Sequence, residues 1–229
     1  MTDLAGMAAL QLLQFADSAL PIGSLSHSFG LETLVFDGDI EYSVDRCPTA
    51  LGDYLEGCLS ESLMMDAVFC REAHARGLQR LSIHDVNQQM SALRLARESR
   101  EASLTLGRRF AALAASLQPE PALLSLATLE ELHHAVAFGY TLGTLGIDAD
   151  LSVGAFVHQC VLNTISSAQR LLPLGQTQAN RIAWHLKQAI LETAARTRMV
   201  SFSEVCSFGH LPETASMRHP CLPTRLFIS

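Results

Sequence analysis

Apolar residues along this chain recur at spacings of three and four, the period of helices that bury one face. Leu4 to Ala16 places Leu10, Leu13 and Phe15 on or near one side of a first helix. A turn at Asp37-Gly38-Asp39 follows, and Arg46-Cys47-Pro48 leads into a helix with Thr49 as its N-cap. That helix runs to about Arg76, with Leu51, Leu55, Leu59, Leu63 and Val68 near its inner face. Ser82-Ile-His-Asp85 has the form of a capping box, and the helix it opens continues through Leu106, Phe110, Leu113 and Leu117 until Pro119 and Pro121 close it. Thr128-Leu-Glu-Glu131 reads as a second capping box, for a helix ending near Gly146. From Asp150 or Ser152 the repeat Val153, Phe156, Val157, Cys160, Val161, Thr164, Ile165, Ala168, Leu172 is the clearest in the chain. Pro173 and Gly175 end it, and a last amphipathic stretch from about Thr177 to Arg198 carries Ile182, Leu186 and Ile190. No segment alternates apolar and polar residues for more than a few positions. The pattern predicts an all-α, single-domain bundle of roughly eight to ten helices.

Two stretches depart from it. Between Phe15 and Glu32, four serines (Ser18, Ser24, Ser26, Ser28) crowd around Pro21, Gly23 and Gly30. Pro21 lacks a backbone donor and biases Leu20 away from helical geometry, so a helix ends near Ser18 and another starts near Ser26. At the other end Pro212, Pro220 and Pro223 rule out a long helix, yet the chain closes on Leu226-Phe-Ile-Ser229. Three apolar side chains at a terminus are costly to leave in water; either they fold back on the core or another protein holds them. The predicted organisation is a helical domain over 1–208 and a tail over 209–229.

Composition sharpens this picture. Of 229 residues 48% are hydrophobic and only 17% charged, below the usual share of about 25%. So little charged surface implies that some apolar face is covered by a partner or a second copy. The net charge of -7, with Lys187 the only lysine, argues against nucleic acid. No run approaches the roughly 18 apolar residues of a membrane helix, and Asp3 without a basic leader is not a signal peptide. Six cysteines without a C-x-x-C pair suit a reducing cytoplasm.

Candidate chemistry is thin. Ser26-His27 pairs a hydroxyl with an imidazole, but a nucleophile elbow needs a preceding strand and flanking glycines, so cap and turn duty is the reading. His133 and His134 project about 100° apart on a helix and do not share one ion. Arg94, Arg97, Arg100, Arg108 and Arg109 form a basic stretch in which Arg94–Glu98 and Arg97–Glu101 are spaced for ion pairs, a solvated face rather than a dock for an acidic partner. There is no P-loop. Gly139-Tyr-Thr-Leu-Gly143 lacks the strand of a dinucleotide fingerprint, and its small residues suit close helix packing. Nothing here recommends an active site, a metal or a cofactor.

A resemblance carries further. Leu12-Leu-Gln-Phe-Ala-Asp-Ser-Ala-Leu-Pro-Ile-Gly-Ser-Leu-Ser-His-Ser-Phe-Gly-Leu-Glu32 resembles the N-terminal signature of the urease accessory protein UreF family. Arg97-Glu-Ser-Arg-Glu-Ala-Ser through Gly107-Arg-Arg, His133-His-Ala-Val-Ala-Phe-Gly-Tyr, Leu172-Pro-Leu-Gly-Gln176, Met217-Arg-His and Thr224-Arg-Leu-Phe-Ile-Ser229 are similar to further family blocks, in order. The resemblance implies a dimeric cytoplasmic protein without catalysis or cofactor of its own. It implies a bridge between UreD (UreH in some organisms) and the GTPase UreG, for GTP-dependent nickel delivery to the urease apoprotein. Activator and fidelity check of the GTPase both remain open. By motif position, Thr224, Arg225, Leu226, Phe227, Ile228 and Ser229 match the segment that orders against UreD. Glu32, with the Leu20-Pro21-Ile22-Gly23 turn, and Arg170, ahead of the block ending in Gln176, match positions tied to the GTPase side. Two departures stand out: Pro220 replaces a usual acidic residue, and Arg170 stands where Lys is common. On this reading the tail orders only on binding, and Glu32 is displayed beside an interface. The alternative from another class is a nickel carrier using His133 and His134 at its surface.

Overall fold

A computed structural model describes residues 4–206 and 209–229; the expected division at 208 and the reading of Asp3 lie outside them. Among the described residues there are twelve α-helices and no strand. They are α1 (Leu4–Phe15), α2 (Leu31–Asp37), α3 (Cys47–Ser60), α4 (Ser62–Gln79), α5 (His84–Leu93), α6 (Arg97–Leu117), α7 (Pro121–Leu126), α8 (His134–Thr144), α9 (Ala149–Leu171), α10 (Gln176–His185), α11 (Lys187–Arg196) and α12 (His210–Arg218). The all-α expectation holds, and the excess over ten comes mainly from long stretches that break where side chains or turns demand it.

The stretch from Thr49 to Arg76 splits at Glu61, whose φ of -121° and ψ of -91° end α3, and Thr49 lies inside its first turn. The stretch from Ser82 to Leu117 splits at Arg94, held extended (ψ 92°) while its guanidinium reaches Asp66 at 2.5 and 2.6 Å. Arg94 therefore pairs with Asp66 and not with Glu98, whereas Arg97–Glu101 forms as spaced, at 2.7 Å. Pro121 does not merely stop α6; it starts α7, where a missing N–H costs nothing. Thr128 closes α7 by donating to the Ser125 carbonyl at 2.7 Å, so the second expected capping box starts no helix. Ser82 accepts from the His84 amide, but Asp85 is taken by Arg76 at 2.6 Å and closes no box. Asp148 caps α9 by accepting from the Asp150 and Leu151 amides, two residues ahead of the expected start.

Helix α8 is buried on every side, all eleven residues from His134 to Thr144. It lies against α4 so closely that a Cβ on Gly139 or Gly143 would overlap the carbonyls of Cys70 and His74. Small residues at that seam let the two backbones meet, as their spacing suggested. Phe138 of α8 packs between Phe110 and Phe156, its ring centroid 5.4 Å from each. Helix α1 turns in the unexpected direction: Leu10 and Leu13 are 64% and 69% exposed. Phe15 faces the core as expected, against Phe110 at 5.5 Å, but Ala8 and Leu12 join it there in place of Leu10 and Leu13.

Candidate functional site: the docked tail

The break between α1 and α2 is built by insertion and by backbone handedness. Leu20 and Ile22 enter the core while Pro21 stays outside. Gln159 of α9 donates to the carbonyls of Phe15 and Asp17 at 3.3 and 3.0 Å, fixing where α1 stops. Gly23 takes a φ of 86°, a region open to glycine at little cost, and Arg109 donates to the Ile22 carbonyl at 3.2 Å. A 3-10 turn over Ser24–Ser26 follows, so no helix starts at Ser26. Helix α2 begins at Leu31, and Ser28 rather than Ser26 accepts an early amide, that of Glu32, at 3.4 Å. Gly30 has a φ of 89° and lies so close to the Pro212 carbonyl on α12 that a side chain there would collide with it.

The tail lies across this break. Arg218 pairs with Asp37 at 2.8 Å, and Pro220 sits in a 3-10 turn over His219–Cys221. The Ile228 amide donates to the Ser26 carbonyl at 2.9 Å and the Ser28 amide donates to the Ser229 carbonyl at 2.5 Å, a short extended pairing. Glu32 holds the centre. Its carboxylate accepts from the Leu226 amide (2.6 Å), the Phe227 amide (3.1 Å) and His219 Nε2 (2.8 Å). Phe227 is buried beneath the Arg170 guanidinium, 4.4 Å from the ring centroid, and Arg170 also donates to the Leu25 carbonyl at 2.8 Å. His27 Nδ1 shares a 2.8 Å hydrogen bond with Ser229 Oγ.

The tail lies folded against its own chain, and one expectation changes here. Glu32 is not displayed; it is buried and its oxygens are engaged within the chain. A buried carboxylate needs such donors, and charge-assisted bonds of this kind contribute about 1.5–3 kcal/mol each. His27 turns to Ser229 and not to Ser26. The sequence-predicted positions Glu32, Arg170, Leu226, Phe227, Ile228 and Ser229 thus meet in one place. Thr224 and Arg225 lie exposed along the approach, and Leu20, Pro21 and Gly23 shape the break beneath. Gln176 is not among the tail's hydrogen-bond partners; it opens α10 and accepts from Gln169 at 2.7 Å. His219 and His27 went unrecognised as tail anchors, because nothing local in a sequence marks a contact 187 or 202 residues away.

The histidines of the carrier alternative are interior. His133 is fully buried between the Ser91 and Ser103 hydroxyls at 2.8 and 3.0 Å, and burial with Arg94 and Arg100 nearby pulls its pKa down to about 3. His134 packs on Phe110 and Phe156, and burial with Arg94 nearby lowers its pKa to about 4. A surface nickel site on this pair is overturned. Among the described residues no group of three or more His, Cys, Asp or Glu side chains is arranged to hold a metal ion, and no helix is long and apolar enough to cross a membrane. Of the basic stretch only Arg94 is buried; Arg97, Arg108 and Arg109 are exposed, as a solvated face predicts, while Arg100, Arg108 and Arg109 also donate to the carbonyls of Arg94, Glu130 and Ile22.

Fold and site together define an all-α protein whose distinctive feature is a polar corner gripping its own tail. Comparison with known proteins makes that specific. The UreF family model matches residues 46–187. The chain is similar to the urease accessory protein UreF of a Bradyrhizobium species, 30% identical over 100% of this chain and 95% of that one. It is also similar to those of a Nostoc species (32%, over 96% and 95%) and a Synechocystis species (32%, over 99% and 100%). The chain belongs to the UreF family of urease accessory proteins.

Proposed function

We propose that this chain is a non-catalytic bridge between UreD (UreH) and the GTPase UreG, acting as a cytoplasmic homodimer during GTP-dependent nickel insertion into the urease apoprotein. The observation that carries the reading is the composite surface where tail and break meet. Docking sorts the last residues into two sets: Phe227 and Ser229 point inward, while Leu226 and Ile228 remain 52% and 69% exposed. Exposed apolar side chains on a segment pinned by backbone hydrogen bonds make a preorganised recognition edge, which lowers the ordering cost of association. Glu32 contributes by holding that edge in place. Arg170 stands where the two segments join, its charge still open to a partner on the break side.

The test uses Leu226→Asp/Ile228→Asp in the full chain, co-expressed with the other accessory proteins. The double variant should keep wild-type helix content and lose co-purification with UreD. Retention of UreD at wild-type yield contradicts the assignment of this edge.

A further inference from the structure

Helices α10 and α11 carry a second unpartnered surface. The bonds from the Leu186 amide to the Ile182 carbonyl (3.1 Å) and from the Ile190 amide to the Leu186 carbonyl (2.9 Å) carry helical pairing across their junction. The two helices therefore act as one bent rod. Its inner face is Ile182, Leu186, Ile190 and Ala194, all buried. At a turn of about 100° per residue, Arg181, Trp184, Gln188, Leu191 and Ala195 fall within one outward stripe, and Met199 continues it past the end. Trp184, Leu191 and Met199 are 67%, 60% and 87% exposed. Trp, Met and Arg are among the types enriched where proteins meet, and Trp is enriched among the residues that carry most of the binding energy.

Charge selects the occupant. The whole chain carries -7, yet from Gln176 to Met199 there are four cations (Arg181, Lys187, Arg196, Arg198) and one acid, Glu192. Arg198 is paired with Asp150, whereas Arg181 and Lys187 make no ion pair with any described residue. Lys187 Nζ instead lies 3.7 Å from the Trp184 ring centroid, so its charge sits on the apolar anchor. We propose that this stripe is a docking surface for an acidic amphipathic helix of another protein, its apolar residues on Trp184 and Leu191 and its carboxylates on Arg181 and Lys187. The hydrogen bonds of Leu226, Phe227, Ile228 and Ser229 run to Glu32, Ser26, Ser28 and His27, all on the break or α2, so this surface is separate from the tail edge.

Trp184 is the only tryptophan of the chain, so its emission reports this surface alone. The probes are two synthetic peptides of roughly four helical turns with Leu at helical spacing, one with Glu and one with Lys at the remaining positions. The Glu peptide should shift Trp184 emission to shorter wavelength in a saturable titration. It should bind at least about tenfold more tightly than the Lys peptide and weaken several-fold as salt rises to about 0.5 M. Arg181→Glu/Lys187→Glu should lose that preference at unchanged helix content. Equal binding of both peptides, or no shift with either, overturns the proposal. A shift produced by raising the protein concentration alone overturns it as well, in favour of a second copy on the stripe.

Discussion

The α4–α8 seam and the tail–break corner are both buried, and they are held by opposite means. At the seam the cohesion is apolar and geometric: glycines let backbones meet, and side chains fill what is left. At the corner a small patch of backbone and one phenylalanine are held by a single carboxylate, two histidines and one guanidinium. Packing is spread over many residues and tolerates no intrusion. A polar latch is concentrated, so one substitution can open it and leave the rest standing. A protein that must keep its fold while presenting a terminal segment gains from having the two kinds of cohesion in different places.

The comparison breaks most sharply at Gly139. Gly139→Val drives a branched side chain into the Cys70 carbonyl, and overpacking of this kind costs about 3 kcal/mol or more. The variant should show a lowered urea midpoint, or fail to accumulate folded; a wild-type midpoint contradicts the seam.

Acid probes the same interior. His133 and His134 are neutral in the fold with pKa values near 3 and 4, and reach the ordinary value of about 6.5 only when the chain opens. Below about pH 6.5 the unfolded chain binds more protons, so the contribution is complete above that pH and declines as pH falls toward 4 and then 3. Asp66, pushed up by burial, acts in the opposite sense at lower pH. Urea midpoints should therefore fall between pH 7 and pH 5, by a few kcal/mol of stability, and His134→Phe should flatten the slope. Midpoints independent of pH contradict the burial of these rings.

At the corner, Glu32→Ala removes the acceptor for two backbone amides and His219, three local bonds of about 1.5–3 kcal/mol each. Limited proteolysis should then cut after Arg225 while the urea midpoint stays near wild type. A global loss of stability would mean that the latch and the seam are one unit. The smallest effect is Arg170→Ala, which uncovers Phe227 and forfeits a cation–π contact of about 1 kcal/mol. Cleavage at the same bond should speed up about fivefold, with circular dichroism unchanged; an unchanged rate removes Arg170 from the latch.

Helical periodicity made the core around the seam legible in advance: Leu51, Leu55, Leu59, Val68, Phe110, Val153, Phe156 and Ile165 on α3, α4, α6 and α9 are all buried, and at the seam itself close packing at Gly139 and Gly143 followed from residue size. Helix breaks were legible where proline or glycine causes them. They were hidden at Glu61, Arg94 and Leu186, because tertiary demands such as the Asp66–Arg94 pair leave no local signal. The corner was legible as two unusual stretches and, through resemblance, as Glu32, Arg170 and the tail. Their meeting was not, since no pattern reports that residue 32 accepts from residues 219, 226 and 227. Reading Glu32 as displayed followed from treating a charged residue in a polar break as exposed, when burial with three donors satisfies it as well.

Amide hydrogen exchange in the unmodified protein, free of partners, tests the latch most directly. Docked as described, the Leu226 and Phe227 amides should exchange at least about tenfold more slowly than in an unstructured peptide of the same sequence, with the Ile228 amide slowed alongside them. Exchange of all three at free-peptide rates would contradict a tail held by Glu32 in the isolated chain.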